Sequence, residues 1–478
     1  MNRFWALMLC LVAGACQAQD APARPPNILF ILADDLGWSD LGFTGSRFYD
    51  SPHLDAMAAA GLRFTSFYTS PNCTPTRASF LTGQYAPRTG IYTVGSPERG
   101  DPAARRMVPP QNRTSLPADC QTIASILKAQ GYATGYLGKW QLGNEPAELP
   151  GNFGFDESIV TSEKHLGFEC LPPQEVPAGT YLADFLTERA VDFIGRHKDR
   201  PFFLQVSHFA VHAPYEAKPD VVARFAKKAP SGGHRDAVYA AMIASVDDSV
   251  GRLVGRLAEL RIESNTVVIF TSDNGGVGGY IDPENGGRRS GITDNAPLRG
   301  GKGMLYDGGV RVPFLVKWPG VTPAGSRTPQ PCAHVDLLPT LCEIAGTRPP
   351  SKSPIDGVSF VPLLRNPGAS LGRDAIFWHF PGYLEAYGRA GWRTTPAGAV
   401  RAGNFKLIEY FEDGRTELFN VVEDIGEKNN LVRSLPDKTS ELQAKLAAWR
   451  KALDAPMPVA KPTPAGTAPA PATAASRP

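Results

Sequence analysis

Almost no net charge separates the 49 Lys and Arg from the 47 Asp and Glu of this 478-residue chain. A balance of +2 excludes the broad basic footprint of a nucleic-acid binder and charge-driven attachment to an anionic membrane. Any anion the protein takes must be gripped by a few local groups. Long apolar runs are missing beyond the N-terminus, which excludes a transmembrane helix there. No internal repeat is present, so a solenoid or propeller is excluded as well. Cysteine is scarce, with seven in all.

The N-terminus reads Met1-Asn2-Arg3, an apolar run from Phe4 to Ala15, then small residues at Cys16 and Ala18. This is the pattern of a signal peptide over residues 1–18, and it implies an exported protein, periplasmic or secreted. Cleavage after Ala18 is one reading. Lipid anchoring through Cys16 is the other, with Ala13 where a lipoprotein usually carries leucine.

The run Asn27-Ile-Leu-Phe-Ile-Leu-Ala33 has the length and unbroken apolar character of a strand buried on both faces. Similar runs occur at 201–207, 266–271 and 312–316. Helical periodicity lies between them, in Ile123, Ile126 and Leu127, in Leu182 to Ile194, and in Val246 to Leu257. Alternating strands and helices predict an α/β fold with a large, mostly parallel sheet sandwiched by helices, over residues 25–364. Short strands, an Asp413-Gly414 turn and a helix at 441–453 predict a smaller antiparallel sheet with a covering helix over 365–454. The Pro-, Ala- and Thr-rich tail 455–478 cannot bury a core and is expected to be disordered.

Two of the buried strands run into acidic clusters, Asp34-Asp35 and Asp273-Asn274. Ligands of open α/β sheets bind beyond the carboxyl ends of strands, so both clusters can face one crevice. Hard oxygen donors suit Ca²⁺, or less well Mg²⁺, although either cluster alone could equally cap a turn.

The segment Cys73-Thr74-Pro75-Thr76-Arg77-Ala78-Ser79-Phe80-Leu81-Thr82-Gly83 resembles, at every defining position, the signature of the formylglycine-dependent sulfatases of the alkaline phosphatase superfamily. In that family the cysteine is oxidised by a maturase to 3-oxoalanine (formylglycine). Its hydrate offers one hydroxyl to attack sulfur and a second to expel sulfate. The resemblance implies one Ca²⁺ held by Asp34, Asp35, Asp273, Asn274 and the modified Cys73. It also implies that Arg77 braces the site, that Lys139 and Lys302 bind sulfate oxygens, and that His212 protonates the leaving oxygen. If Cys73 is so used, and Cys10 and Cys16 leave with the signal, Cys120, Cys170, Cys332 and Cys342 remain for up to two disulfides or as buried thiols.

One position departs from the family pattern. Where many sulfatases read G-K-W-H-L-G, this chain has Gly138-Lys139-Trp140-Gln141-Leu142-Gly143. Glutamine cannot take a proton near neutral pH, so although Gln141 can still hydrogen-bond the diol or sulfate as a substrate contact, sulfate release needs another base, and His208, four residues before His212, is a candidate. The C-terminal half resembles bacterial polysaccharide sulfatases of the arylsulfatase A type, in Glu417-Leu418-Phe419-Asn420 and Glu423-Asp424-Ile425-Gly426-Glu427. By that resemblance His379 and Arg393 are candidate sugar contacts, with interdomain packing as the alternative. The expected substrate is a sulfated small molecule or glycan. Two alternatives stay open, a phosphonate or phosphate ester hydrolase of the same superfamily and a sulfated-glycan binder impaired in turnover by Gln141.

Overall fold

Strand Asn27–Ala33 is the centre of a ten-stranded sheet in the computed structural model, which describes residues 24–282, 288–351, 353–386 and 391–462. The expected signal peptide, with Cys10 and Cys16, and the tail beyond residue 462 lie outside the described residues. Phe202–Ser207 and Thr266–Ser272 flank the central strand in parallel. Every residue of these three strands is buried, because helices cover both faces. Successive side chains point to opposite faces, so Leu29 and Ile31 join one core while Ile28, Phe30 and Leu32 join the other.

The first core is closed by helices Leu182–Arg196 and Ala237–Glu259, and the second by Cys73–Thr82, Ile123–Ala129 and Leu337–Ile344. Ala133–Gly138 and Glu157–Thr161 extend the sheet in parallel beyond Phe202–Ser207. On the opposite side Arg311–Lys317 runs antiparallel to both its neighbours, Thr266–Ser272 and Leu62–Tyr68. The sheet is therefore mixed but mostly parallel, as the strand and helix alternation predicts.

The C-terminal part forms a four-stranded antiparallel sheet in the order Ile376–Phe380, Ala397–Ala402, Phe405–Tyr410, Thr416–Asn420. Helix Pro436–Ala452 covers it through Leu442 and Leu446. It begins five residues before the expected Glu441, with Pro436 at its first position, where a missing N–H costs nothing. A wholly buried ion cluster joins this unit to the large sheet. Lys406 Nζ donates to Asp307 Oδ1 at 2.7 Å and to Glu427 Oε1 at 3.0 Å.

One expectation about the periphery is corrected. Val459–Ala460, expected in a disordered tail, pairs antiparallel with Met107–Val108. Backbone pairing at a sheet edge needs no apolar side chain, so composition gave no sign of it. Of the two options for the cysteines, the structure has the thiols: Cys73, Cys120, Cys170, Cys332 and Cys342 are all free. No helix among the described residues is long and apolar enough to cross a membrane.

Candidate active site

Strand register assembles the site. Ala33 pairs with Ser272 across two parallel strands, so the chain places Asp34 beside Asp273 and Asp35 beside Asn274 as both strands end. Leu32 pairs with Ser207, and Gly138 also pairs with Ser207, which brings Lys139 to the same sheet edge. Gly138 has φ 107°, and a Cβ there would lie 2.0 Å from the Ser207 carbonyl oxygen. Only glycine lets the strand turn Lys139 inward at that point. Asp35 and Gln141 hold the left-handed region without being glycine, at φ 64° and 60°, a cost that surrounding contacts must offset.

The oxygen cluster is sealed from solvent. Asp34, Asp273 and Asn274 are fully buried, and Asp35 nearly so. Asn274 Nδ2 donates to Asp35 Oδ1 at 2.8 Å, and the Asp35 N–H donates to Asp273 Oδ1 at 3.2 Å. Asn274 Oδ1 is buried with no hydrogen-bond partner. Cys73, first residue of helix Cys73–Thr82, sets Sγ 3.5 Å from Asp34 Oδ1 and 3.8 Å from Asp35 Oδ1. Ligand atoms of Asp34, Asp35, Cys73 and His212 all fall within 4.8 Å of one another. Crowded carboxylates, with an orphaned amide oxygen at their side, fit a hard divalent cation.

Cations surround this cluster. Arg77, one turn along the helix from Cys73, donates Nε and Nη2 to Asp273 Oδ2 at 3.0 and 2.7 Å, and Nη1 to the Lys139 carbonyl at 2.7 Å. Lys139 Nζ lies 2.5 Å from Asp34 Oδ2, and Lys302 Nζ lies 2.7 Å from Asp35 Oδ1. His212 donates Nδ1–H to the Ala213 carbonyl at 2.6 Å, which leaves Nε2 facing Asp35 Oδ2 at 3.7 Å.

Burial alone would raise the Asp34 pKa, but Lys139, His212, Arg77 and Lys302 outweigh it and hold the carboxyl well below the usual range. Asp273 responds oppositely: burial and the Asp34 charge push it up to about 6 despite Arg77. Burial, with the Asp273 and Asp34 charges, drives the Cys73 thiol well upward. An unmodified Cys73 is thus a neutral thiol at physiological pH and a poor nucleophile.

Expected substrate contacts divide. Gln141 Nε2 donates to Glu163 Oε1 at 3.2 Å while its own Oε1 is buried without a partner. Arg393 Nη1 donates to the Lys302 carbonyl at 3.3 Å, which places it beside the site. His208 is not there. Its backbone follows Ser207, but its wholly buried side chain turns to the opposite face and bonds Ser249 Oγ at 3.1 Å on helix Ala237–Glu259. Burial also lowers its pKa to about 4, so it is not the missing base. His379 is likewise a packing residue, donating Nε2–H to the Pro456 carbonyl at 2.8 Å with its ring against Tyr92 and Phe411.

Several supporting residues carry no sequence signal. Asn295 Nδ2 donates to the carbonyls of Gly276, Gly278 and Gly300, tying the Asp273-Asn274 loop to the Lys302 loop. Asp40 accepts from the Gly37 N–H at 2.9 Å and from Tyr239 and Thr293, which fixes the turn after Asp35. His165 Nε2–H donates to the His212 carbonyl at 2.8 Å. Glu163 lies 3.7 Å from Lys139 Nζ.

Known proteins resemble this chain over most of its length. The sulfatase family model matches residues 26–347, and a second, described as the C-terminal part of N-sulphoglucosamine sulphohydrolase, matches 301–453. A sulfatase of Formosa agariphila is 33% identical, with 93% of this chain and 92% of that protein covered. Human N-acetylgalactosamine-6-sulfatase is 37% identical over 73% of this chain and 67% of its own length. The crystal structure of Ps i-CgsB superposes with a TM-score of 0.73 at 28% identity, covering 89% of this chain and 93% of that one. The chain belongs to the sulfatase family and is a sulfuric ester hydrolase.

Proposed function

We propose that the protein releases inorganic sulfate from a sulfate monoester on a carbohydrate, using formylglycine made from Cys73 and one Ca²⁺. The observation that carries this reading is the convergence of Asp34 and Asp35 on the buried Cys73, with Asp273 and Asn274 bonded to Asp35 and an unpartnered Asn274 Oδ1 among them. Those four residues would hold the ion, whose positive charge stabilises the negative charge that builds up on the reacting oxygens. Formylglycine supplies, as its hydrate, an oxygen nucleophile for sulfur.

The chain's own residues do the rest. Lys139 and Lys302 grip the sulfate oxygens, each already oriented by one carboxylate of the cluster. Nδ1–H of His212 is committed to the Ala213 carbonyl, so the acid is its imidazolium form, which carries a second proton at Nε2 and delivers it to the departing sugar oxygen. Arg77 keeps Asp273 ionised and in place. Carbohydrate is inferred from relatives such as N-acetylgalactosamine-6-sulfatase. Residues 1–18 then serve as the export signal to the periplasm or beyond.

Co-expression with a formylglycine-generating maturase tests the reading. The tryptic peptide spanning residue 73 should lose about 18 Da as SH and H give way to a carbonyl oxygen. The same preparation should release sulfate from an aryl sulfate faster than it cleaves an aryl phosphonate. Unmodified cysteine in an active preparation would overturn the nucleophile assignment, and preferential phosphonate cleavage the substrate class.

A further inference from the structure

Beside Lys139 opens a cavity of about 670 Å³, lined by Thr74, Gln141, Glu145, Glu148 and Glu163 among others. It adjoins the sulfate position from two directions. Lys139 belongs both to its wall and to the ion pair with Asp34, and Thr74 follows Cys73 in the helix. Beyond a leaving oxygen at His212, the remainder of a molecule whose sulfate is held by Lys139 can extend into this space.

The charge of the wall is one-sided. Lys139 is its one cation and is already neutralised by Asp34 at 2.5 Å, whereas Glu145, Glu148 and Glu163 present three carboxylates. Gln141 adds no charge where a histidine could. The wall also carries buried acceptors with nothing bound to them. Thr74 is 2% exposed and its Oγ1 has no hydrogen-bond partner, and Gln141 Oε1 is in the same condition because the amide N–H₂ of Gln141 is engaged by Glu163. Buried polar atoms without partners are uncommon and mark a place for a ligand. The Thr74 hydroxyl can donate or accept, but Gln141 Oε1 can only accept, so a sugar hydroxyl or ammonium can donate to it while a second sulfate or a carboxylate has no proton to offer there and meets like charge.

We propose that this cavity is an acidic specificity site, resting on the sulfatase reading above, that admits neutral or cationic leaving groups and discriminates against those bearing a second anion. The preferred substrate is a singly sulfated neutral or amino sugar, as opposed to a densely sulfated or uronate-containing chain.

Three aryl sulfates of matched size test this, one neutral, one carrying a carboxylate and one a trimethylammonium group, each assayed with formylglycine-converted protein at low and high salt. The ratio of kcat/KM for the cationic over the anionic compound should exceed that of the Glu145→Gln, Glu163→Gln double variant by about tenfold at low salt. It should shrink towards the variant's ratio as the Debye length falls. Both substituted residues are on the solvent side of the cavity, and the salt series on the unaltered chain gives a second reading that needs no variant. A ratio equal in both proteins and indifferent to salt, with turnover intact, would overturn the specificity site alone. No turnover of any of the three would overturn the sulfatase reading and this inference with it.

Discussion

Arg77 gives two N–H donors to a single oxygen of Asp273, at 3.0 and 2.7 Å, with both side chains sealed from water. This pair fastens helix Cys73–Thr82 to the end of strand Thr266–Ser272. Removing one partner of a buried pair strands the other charge, so Arg77→Ala should lower unfolding free energy by about 3–5 kcal/mol. Arg77→Lys keeps the charge but loses the fork, and should fold while losing about 100-fold in kcat/KM. Denaturant melts and aryl sulfate kinetics read the two effects separately.

Chelation should abolish sulfate release and lower Tm, because Asp34, Asp35 and Asp273 then repel one another in a site closed to solvent. Added Ca²⁺ should restore both more fully than Mg²⁺, which demands near-ideal octahedral geometry and gives up its water reluctantly. A Tm indifferent to the chelator would remove the ion from the fold's stability.

Lys406 sits between Asp307 and Glu427, while Glu427 also accepts the Asp307 N–H at 2.8 Å and its carbonyl accepts Arg299 Nη1 at 2.8 Å. Arg299 and Asp307 bracket Lys302. Lys406→Met should therefore destabilise the protein by about 3–5 kcal/mol and, under folding conditions, raise KM as the Lys302 loop loosens. Equal KM in the two proteins would confine the cluster to a structural role.

His208 gives a pH prediction with a definite sign. Burial lowers its pKa from 6.5 to about 4, so the folded state binds its proton less readily than the unfolded chain. The stability tied to its neutral form is complete above pH 6.5 and is lost as pH falls towards 4, by about 3 kcal/mol. His208→Gln should flatten that part of the stability curve and still release sulfate. A pH–rate profile that loses a limb in His208→Gln would return the residue to the reaction.

The acidic cluster was legible because each half follows an unbroken apolar strand, and parallel neighbours end on the same side. Lys139, Lys302 and His212 were legible only through their motifs. His208 shows where such reading stops: sequence proximity to His212 is real, but the strand ends at Ser207 and the irregular chain beyond it turns His208 onto Ser249 while His212 reaches Asp35. Glu163 is an exposed charge on a loop, and Lys406 lies 99 and 21 residues from its partners Asp307 and Glu427. Neither leaves a periodic trace, since both depend on how the smaller sheet and the loops close over the larger one.

Every residue of helix Cys73–Thr82 is buried, and Cys73 is 1% exposed beneath the cavity wall. A maturase needs the thiol in hand, together with several residues on either side, and the finished fold offers neither. On the formylglycine reading, residue 73 must be converted while its segment is still an open chain. Activity is then decided by timing: a molecule that folds first is locked out, and supplying the maturase later cannot recover it without unfolding.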